Sequence, residues 1–294
     1  MTRPGRLLAP EIVARLAPLR LATRRRVQGR YAGSHRSRRY GASLDFADHR
    51  QYVPGDDPRR LDVAAYQRLG RLLVKLYEAE DEAAVRVVVD LSASMGFGRK
   101  AHTAREVAAV FAALAHNGQD RARVLLAGAQ GVDAGPWFRG AGGLPPVEAR
   151  LLAAATDPHS ARPDLAGAIR RARGEGPAGP TVVVSDLLDD AWPDAVRALA
   201  AGRGDGVVVH LLGREDLEPG VRGDLRLADA ETDEELEVGI DEEALAAYQA
   251  TCEAWLAQVE AACGRHGIAY ARLIDDASVE ELATGTLRRL GVVA

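Results

Sequence analysis

The chain has 294 residues, 47% of them hydrophobic, and its formal net charge of −4 argues against general nucleic-acid binding. This length accommodates one large domain, or one domain with a smaller attachment, and the apolar content supports a sizeable core. The sequence has no apolar run of about 18 residues, no hydrophobic leader and only two cysteines, so we expect a cytoplasmic protein without a membrane span.

The N-terminal stretch, residues 1–40, is basic, and its second half is rich in arginine and glycine. A short helix is predicted over Pro10–Leu21, with Ile12, Leu16 and Leu19 on one face. The arginines that follow favour a solvated arm, or a cover that pairs with acidic residues elsewhere in the chain. A docking surface for an acidic partner is the alternative.

Opposite charges are dense between Asp45 and Asp62, on either side of a predicted turn at Pro54-Gly55. Such a cluster indicates a network of salt bridges and hydrogen bonds that fixes a loop. We therefore predict an irregular or β-rich N-terminal subdomain. Residues 1–82 would form the basic arm and this charged network, and residues 83–294 the main domain.

In the main domain, apolar runs alternate with helical patterns. The stretch Val85–Met95 reads VRVVVDLSASM, which is typical of a strand buried on both faces that runs into a polar loop. Further strands are predicted at Arg121–Gly128, Val132–Phe138, Thr181–Asp186, Gly206–Leu212 and Ile268–Ile274, with a hairpin or acidic loop over Leu225–Ile240. Helices are predicted at Ala101–His116, Val147–Ala155, Leu165–Arg173, Ala191–Ala201, Asp241–His266 and Ser278–Leu290. This alternation predicts an α/β fold, with a doubly wound, mainly parallel sheet covered by helices on both faces.

Oxygen-bearing side chains follow two of the predicted strands. Asp90, Ser92 and Ser94 come after the first, and Asp186 ends a second one. Strand ends converge at the carboxyl edge of a parallel sheet, where ligands commonly bind. These oxygens suit a hard cation such as Mg²⁺ or Mn²⁺. The alternative is a polar, metal-free crevice in which Asp186 caps the next helix.

The motif Asp90-Leu-Ser92-Ala-Ser94 resembles the first part of the metal-ion-dependent adhesion site of von Willebrand factor A domains. The resemblance implies that the two serines bind the metal directly and that Asp90 supports it. It also implies that Asp186 is the second aspartate of the site. A metal held this way keeps an open position that an acidic side chain of a partner protein can fill.

Von Willebrand A domains also supply a threonine from a loop just before a helix. The aligned residue in this chain is Pro163, whose side chain cannot coordinate a metal. Asp164, Ser160 or Thr156 is the expected substitute, with water as the alternative. His159 lies in the same loop and is expected to be simply exposed.

The segment Asp45–Asp62 has the pattern D-F-x-D-x-R-x-Y-x-x-G-D-D-x-R-x-x-D, which is similar to the hallmark of the bacterial domain-of-unknown-function family fifty-eight. In that family a von Willebrand A-like core follows the segment, and Lys75, Glu78 and Glu80 match its usual spacing. The resemblance implies a partnership with MoxR-type AAA+ ATPases. The implied role is an adaptor or co-chaperone in the assembly of protein complexes.

The residues favour a binding module over an enzyme. An aspartate after a buried strand can act as a nucleophile, but haloacid-dehalogenase-type sites need a second aspartate two positions later, where this chain has Ser92. The sequence contains neither a G-x-S-x-G elbow nor a histidine pair with metal-ligand spacing. We therefore expect a non-enzymatic protein-binding module. The alternatives are a metal-free scaffold with a degenerate site and, behind it, a metal-dependent phosphatase or hydrolase.

Overall fold

The computed structural model of the chain describes residues 5–22, 45–78, 83–140, 142–156, 162–202, 205–229 and 235–294. The strands are β1 (Asp45–Gln51), β2 (Leu73–Glu78), β3 (Ala84–Asp90), β4 (Arg121–Gly128), β5 (Gly131–Ala134), β6 (Thr181–Ser185), β7 (Gly206–Leu212), β8 (Gly223–Ala228), β9 (Glu235–Ile240) and β10 (Ala269–Ile274). The α-helices are α1 (Pro10–Leu16), α2 (Val63–Leu69), α3 (Lys100–Asn117), α4 (Leu144–Ala153), α5 (Leu165–Gly174), α6 (Trp192–Ala200), α7 (Arg214–Leu217), α8 (Glu242–Arg265), α9 (Val279–Glu281) and α10 (Leu287–Arg289). Within these residues, no helix is both long and apolar enough to cross a membrane.

The described residues divide into two compact units, and the smaller one comprises residues 45–78. Its strands β1 and β2 pair antiparallel. Arg50 donates to Asp56 at 2.8 Å, and His49 lies 2.8 Å from Asp62. Asp62 also caps α2 by accepting from the backbone N–H of Ala65 at 3.0 Å. The predicted β-rich N-terminal region and its charged network are therefore confirmed.

The larger unit is built on a six-stranded sheet with the order β10-β7-β6-β3-β4-β5. All neighbouring strands are parallel except β5, which runs antiparallel to β4. Along β3, Val85, Val87 and Val89 pack into the core on one face, and Val88 packs into the core on the other. A strand buried on both faces must be apolar at consecutive positions, which explains the continuous valine run. The predicted α/β fold is confirmed.

Helices cover both faces of this sheet. One core contains side chains from α1, α3, α4, α9 and α10, and the other contains side chains from α5, α6 and α8. Strands β8 and β9 pair separately as an antiparallel hairpin, as predicted for Leu225–Ile240. The hairpin lies between β7 and α8 in the chain and is not part of the main sheet.

The N-terminal segment 5–22 packs with the larger unit. Leu8 is fully buried, and the carboxylate of Glu148 accepts hydrogen bonds from the backbone N–H groups of Leu7 and Leu8. Farther along, Leu21 forms an antiparallel bridge with Val293. The arginine-rich stretch of the predicted arm lies in residues 23–44, outside the described part. The domain division at residue 82 stays a prediction.

Three predicted boundaries differ from the structure by about three residues or more. The first helix ends at Leu16 rather than at residue 21. Helix α4 begins at Leu144, three residues early, because the two prolines that indicated a loop occupy its first turn, where a missing N–H costs nothing. Strand β5 stops at Ala134, and Phe138 makes only an isolated bridge with Ala122.

Candidate functional site

The predicted site residues meet at the carboxyl edge of the sheet. Strands β3 and β6 are parallel neighbours in which Val89 pairs with Val184. The next residues, Asp90 and Ser185, therefore lie side by side where the two strands end. Asp186 follows directly, so both predicted aspartates come to one place.

Asp90 is a buried structural anchor at this edge, with only 5% of its surface exposed. One carboxylate oxygen accepts from the backbone N–H of Ser92 at 2.8 Å, and the other accepts from the hydroxyl of Ser185 at 2.6 Å. Burial, and secondarily the charge of Asp186, raise the pKa of Asp90 to about 6. Both oxygens of Asp90 thus hold the loop in place, which agrees with the supporting role that the resemblance implies.

The hydroxyl groups of Ser92 and Ser94 form a hydrogen-bonded chain with Asp186. Ser92 Oγ and Ser94 Oγ are 3.0 Å apart, and Ser94 Oγ donates to Asp186 Oδ1 at 3.2 Å. Ser94 Oγ therefore lies within hydrogen-bond distance of two other oxygens of the predicted ligand set. Such a set suits a hard cation that keeps part of its water shell.

A residue that the sequence did not single out completes the cluster. Lys100 is 1% exposed, and its Nζ donates to Asp186 Oδ2 at 2.8 Å and to Asp216 Oδ2 at 2.9 Å. Burial alone would lower the pKa of Lys100, but the two carboxylates raise it, so the side chain is an ammonium ion at neutral pH. A sequence signal did exist, since Lys75 and Lys100 are the only lysines among 38 lysine and arginine residues.

His210 positions the backbone of Asp186. Its Nε2 lies 2.8 Å from the carbonyl oxygen of Asp186, and its Nδ1 lies 2.7 Å from the hydroxyl of Tyr270. Burial lowers the pKa of His210 to about 4, so the ring is neutral, donates to the carbonyl and accepts from the tyrosine. His210 is therefore a buried histidine with both ring nitrogens hydrogen-bonded.

The loop after Asp186 is held in a strained conformation. Leu187 has a φ of 52°, a left-handed value that bulky residues rarely adopt, and it is buried. Its N–H donates to the hydroxyl of Ser185 at 3.0 Å. Strain of this kind persists where the surroundings dictate it and concentrates at functional sites. Here it turns the chain so that the carboxylate of Asp186 faces Ser94 and Lys100.

Asp164 lies on the wall of the same site and caps a helix. Its Oδ1 accepts from the N–H of Gly167 at 2.6 Å, and its side chain is 72% exposed with Arg170 3.6 Å away. Pro163 lines the wall beside it. Ser160 and His159 lie outside the described residues. The metal role of Asp164 stays a prediction, and its observed contact is a helix cap.

A cavity of about 170 Å³ opens in front of the cluster. Its polar floor is formed by Asp90, Ser92, Ser94, Ser185 and Asp186. Its wall is largely apolar and includes Pro163, Leu165, Leu187, Leu188 and Trp192. The wall also carries the charged residues Arg162, Arg170, Asp189 and Asp194.

The donor set fits a divalent cation. Ser92, Ser94 and Asp186 would hold it directly, and Asp90 would support them from below, while the ion would supply a positive charge for an external carboxylate. Among the described residues, no group of three or more His, Cys, Asp or Glu side chains is arranged to hold a metal. The predicted set relies instead on hydroxyl oxygens, so the assignment of the metal stays a prediction.

The sequence profile of the family described as "Protein of unknown function DUF58" matches residues 48–279, most of the chain. The chain belongs to the DUF58 family. Uncharacterised proteins of Mycobacterium tuberculosis (Rv1480) and Mycobacterium bovis (Mb1516) are each 31% identical to it over 238 residues, covering 79% of this chain and 75% of theirs.

Two solved structures show a fainter likeness. A conserved hypothetical protein, BatB, from Bacteroides thetaiotaomicron is 13% identical, with a TM-score of 0.41. An aerotolerance-related membrane protein from Bacteroides fragilis is 12% identical, with a TM-score of 0.42. Each match covers 71% of this DUF58 chain and 98% of the other.

Proposed function

We propose that this DUF58 protein is a non-enzymatic protein-binding module. Its carboxyl-edge site would bind Mg²⁺ or Mn²⁺ through Ser92, Ser94 and Asp186, with Asp90 in support. The bound cation would then accept an acidic side chain of a partner protein. The proposal depends mainly on the convergence of the two serine hydroxyls and Asp186 Oδ1 at the floor of an open cavity.

The contacts of Asp90 favour binding over catalysis. A nucleophilic carboxylate needs a free oxygen that faces the substrate, whereas both oxygens of Asp90 accept short hydrogen bonds and the residue is buried. His210 is also poorly placed as a general base, because its ring nitrogens bond to the backbone carbonyl of Asp186 and to the hydroxyl of Tyr270. These observations support a site that holds a ligand without transforming it.

The partner class and the cellular location rest on the sequence. The resemblance on the segment Asp45–Asp62 supports a MoxR-type AAA+ ATPase, or a substrate of one, as the partner, with this chain as adaptor or co-chaperone. The low cysteine content of the sequence, two residues in all, supports a cytoplasmic location. Both statements belong to the proposal.

One observation favours the metal-free scaffold as the second candidate. Lys100 already places a positive charge on Asp186 and leaves only hydroxyls and a shared carboxylate for a metal. In that reading the polar cluster fixes the loop, and the cavity receives a partner without an ion.

Calorimetric titration of the purified protein with Mg²⁺ and with Mn²⁺ tests the proposal. We expect saturable binding by the wild type, its loss in Ser92→Ala, and no change in the control Ser278→Ala, which removes only a helix cap at another position. A folded wild-type protein that binds neither ion would leave the metal-free scaffold. Turnover of p-nitrophenyl phosphate with Mg²⁺ would instead show an enzyme.

A further inference from the structure

The buried ammonium group of Lys100 shares a carboxylate with the open cation position. Asp186 Oδ2 accepts from Lys100 Nζ, and Asp186 Oδ1 accepts from the hydroxyl of Ser94. The two oxygens of one carboxylate thus face two different positions. One position holds the lysine, and the other faces the serines and the cavity.

This arrangement has a direct electrostatic consequence. A divalent ion at the serines would lie only a few ångströms from the ammonium group, across the same carboxylate. Asp186 and Lys100 are each 1% exposed, so little water screens the repulsion between the two cations. The carboxylate also gives part of its charge to the lysine, and less remains for a metal.

The choice of lysine over arginine matters for the geometry. A lysine ammonium is a compact point charge that can pair with a single oxygen, whereas the arginine fork tends to cover both oxygens of a carboxylate. In a chain that otherwise uses arginine almost exclusively, the lysine at position 100 leaves Asp186 Oδ1 to Ser94 and to the backbone N–H of Leu188.

We propose that Lys100 is the resident cation of this site and sets its affinity for divalent metals. The proposal rests on the proposed function, because it concerns the same Ser92, Ser94 and Asp186. Lys100 keeps metal binding weak, because its ammonium group repels a divalent ion and shares the charge of Asp186.

Two substitutions at one position test this in opposite directions. Lys100→Gln removes the charge but keeps a donor for Asp186 and Asp216, and we expect the affinity for Mg²⁺ to rise about tenfold or more. Lys100→Arg keeps the charge but reaches both oxygens of Asp186, and we expect the affinity to fall about tenfold or more. Calorimetry with MgCl₂ alone, at fixed ionic strength, measures both changes.

The control is Arg214→Gln, which removes an exposed cation two residues from Asp216 whose ion pair is with Asp276. Its affinity for Mg²⁺ should stay within about twofold of the wild type, because solvent screens an exposed charge. Thermal unfolding with and without MgCl₂ checks that each variant is folded. It also gives a second readout, since Lys100→Gln should gain a larger rise in Tm from Mg²⁺ than the wild type does.

The outcomes separate this inference from the proposed function. Binding by Lys100→Gln but not by the wild type would support the role of Lys100 and overturn the metal site of the native protein. Equal affinities in the wild type and Lys100→Gln would overturn the role of Lys100 and leave the metal site standing. If neither protein binds Mg²⁺ although both are folded, both proposals are overturned.

A further variant covers the case in which neither substitution at position 100 folds. Asp216→Asn keeps the size of a side chain that is one quarter exposed and leaves the ammonium to Asp186 alone. A fall in affinity for Mg²⁺ of about threefold or more would support the inference, and an unchanged affinity would overturn it.

Discussion

The two edges of the main sheet bury opposite charges in different ways. At the carboxyl edge, Asp90 and Asp186 bond to hydroxyl and ammonium groups in front of a cavity. At the amino edge, the guanidinium groups of Arg86, Arg121 and Arg123 lie 5.4, 5.9 and 5.6 Å from the centre of the Trp137 ring.

The arginines of the amino edge make hydrogen bonds and ion pairs within the protein. Arg86 is 2% exposed and donates to the carbonyl oxygens of Ala84, Glu175 and Pro177, and Arg123 pairs with the carboxylate of Glu175. Burial and the neighbouring arginines lower the pKa of Arg86 to about 10, so it stays charged at neutral pH. The two edges thus differ in their surroundings, because the aspartates of the carboxyl edge line a cavity, whereas Arg86 and Arg123 of the amino edge bond to backbone and carboxylate groups of the protein itself.

The largest change in stability is expected from a substitution at the amino edge of the sheet. Arg86→Met leaves three carbonyl acceptors without their donor, and we expect it to lower the free energy of unfolding by about 4 kcal/mol. Urea unfolding measures the loss, with Arg197→Met, at an exposed position, as the control. The affinity for Mg²⁺ should not change, because the contacts of Arg86 are at the opposite edge. A loss below about 1 kcal/mol would contradict the structural role of Arg86.

The second effect concerns pH at the carboxyl edge. The pKa of His210 is about 4 in the folded protein and 6.5 in its reference state. Between these values the unfolded chain binds a proton that the folded one does not. The contribution of neutral His210 to the free energy of unfolding, up to about 3 kcal/mol, is therefore complete above pH 6.5. It is lost as the pH falls toward 4.

His210→Gln isolates this contribution, because all other titrating groups are common to both proteins. We expect the stability advantage of the wild type over His210→Gln, measured by urea unfolding at several pH values, to shrink between pH 6.5 and 4. A pH-independent difference would show that the histidine is not buried in its neutral form.

The third prediction is a gain in the free energy of unfolding, whereas Arg86→Met is expected to lower it. Because the pKa of Asp90 is raised to about 6, its charged form destabilises the folded protein above that pH. We expect Asp90→Asn to raise the free energy of unfolding at pH 7 by about 1 kcal/mol, because the relief of the buried charge, about 2–3 kcal/mol, is partly offset by the loss of one acceptor oxygen. The gain should shrink toward pH 4, where the wild-type carboxyl is itself protonated. The same variant should lose affinity for Mg²⁺, and a destabilised Asp90→Asn at pH 7 would contradict this interpretation.

A change in stability of equal or smaller size is expected at Asp164, and its variants test whether this residue belongs to the metal site. Asp164→Ala removes the cap of α5 and should cost about 1 kcal/mol, whereas Asp164→Ser keeps a capping oxygen and should cost less. Thermal unfolding compares the two variants. We expect both to retain affinity for Mg²⁺, because the carboxylate of Asp164 contacts Gly167 and Arg170. A loss of affinity in both would identify Asp164 as a ligand as well.

Much of this fold could be predicted from local patterns in the sequence. Consecutive valines such as Val87–Val89 predict strands buried on both faces, and the topology of parallel sheets then places Asp90 and Asp186 at one edge. The site was predictable because it depends on where strands end. This is a local property of the sequence combined with a general rule of α/β folds.

The counter-ion of the site could not be predicted in the same way. Lys100 begins a helix, where a charged residue usually indicates an exposed position, and its second partner, Asp216, lies 116 residues away in the chain. The strained φ of Leu187 and the hydroxyl bridge of Ser185 likewise depend on packing between distant segments. Pairings of this kind follow from the assembled fold and leave no periodic signal.

The bridge between Leu21 and Val293 has a consequence for synthesis in the cell. Leu21 and Val293 are 272 positions apart in the sequence (293 − 21), so the segment that carries Leu7 and Leu8 is synthesised well before Val293. At roughly 5–20 residues per second, tens of seconds pass between the two. During that time these leucines have no completed core to cover them. The N-terminal segment therefore completes its contacts with the larger unit only after Val293 has been made.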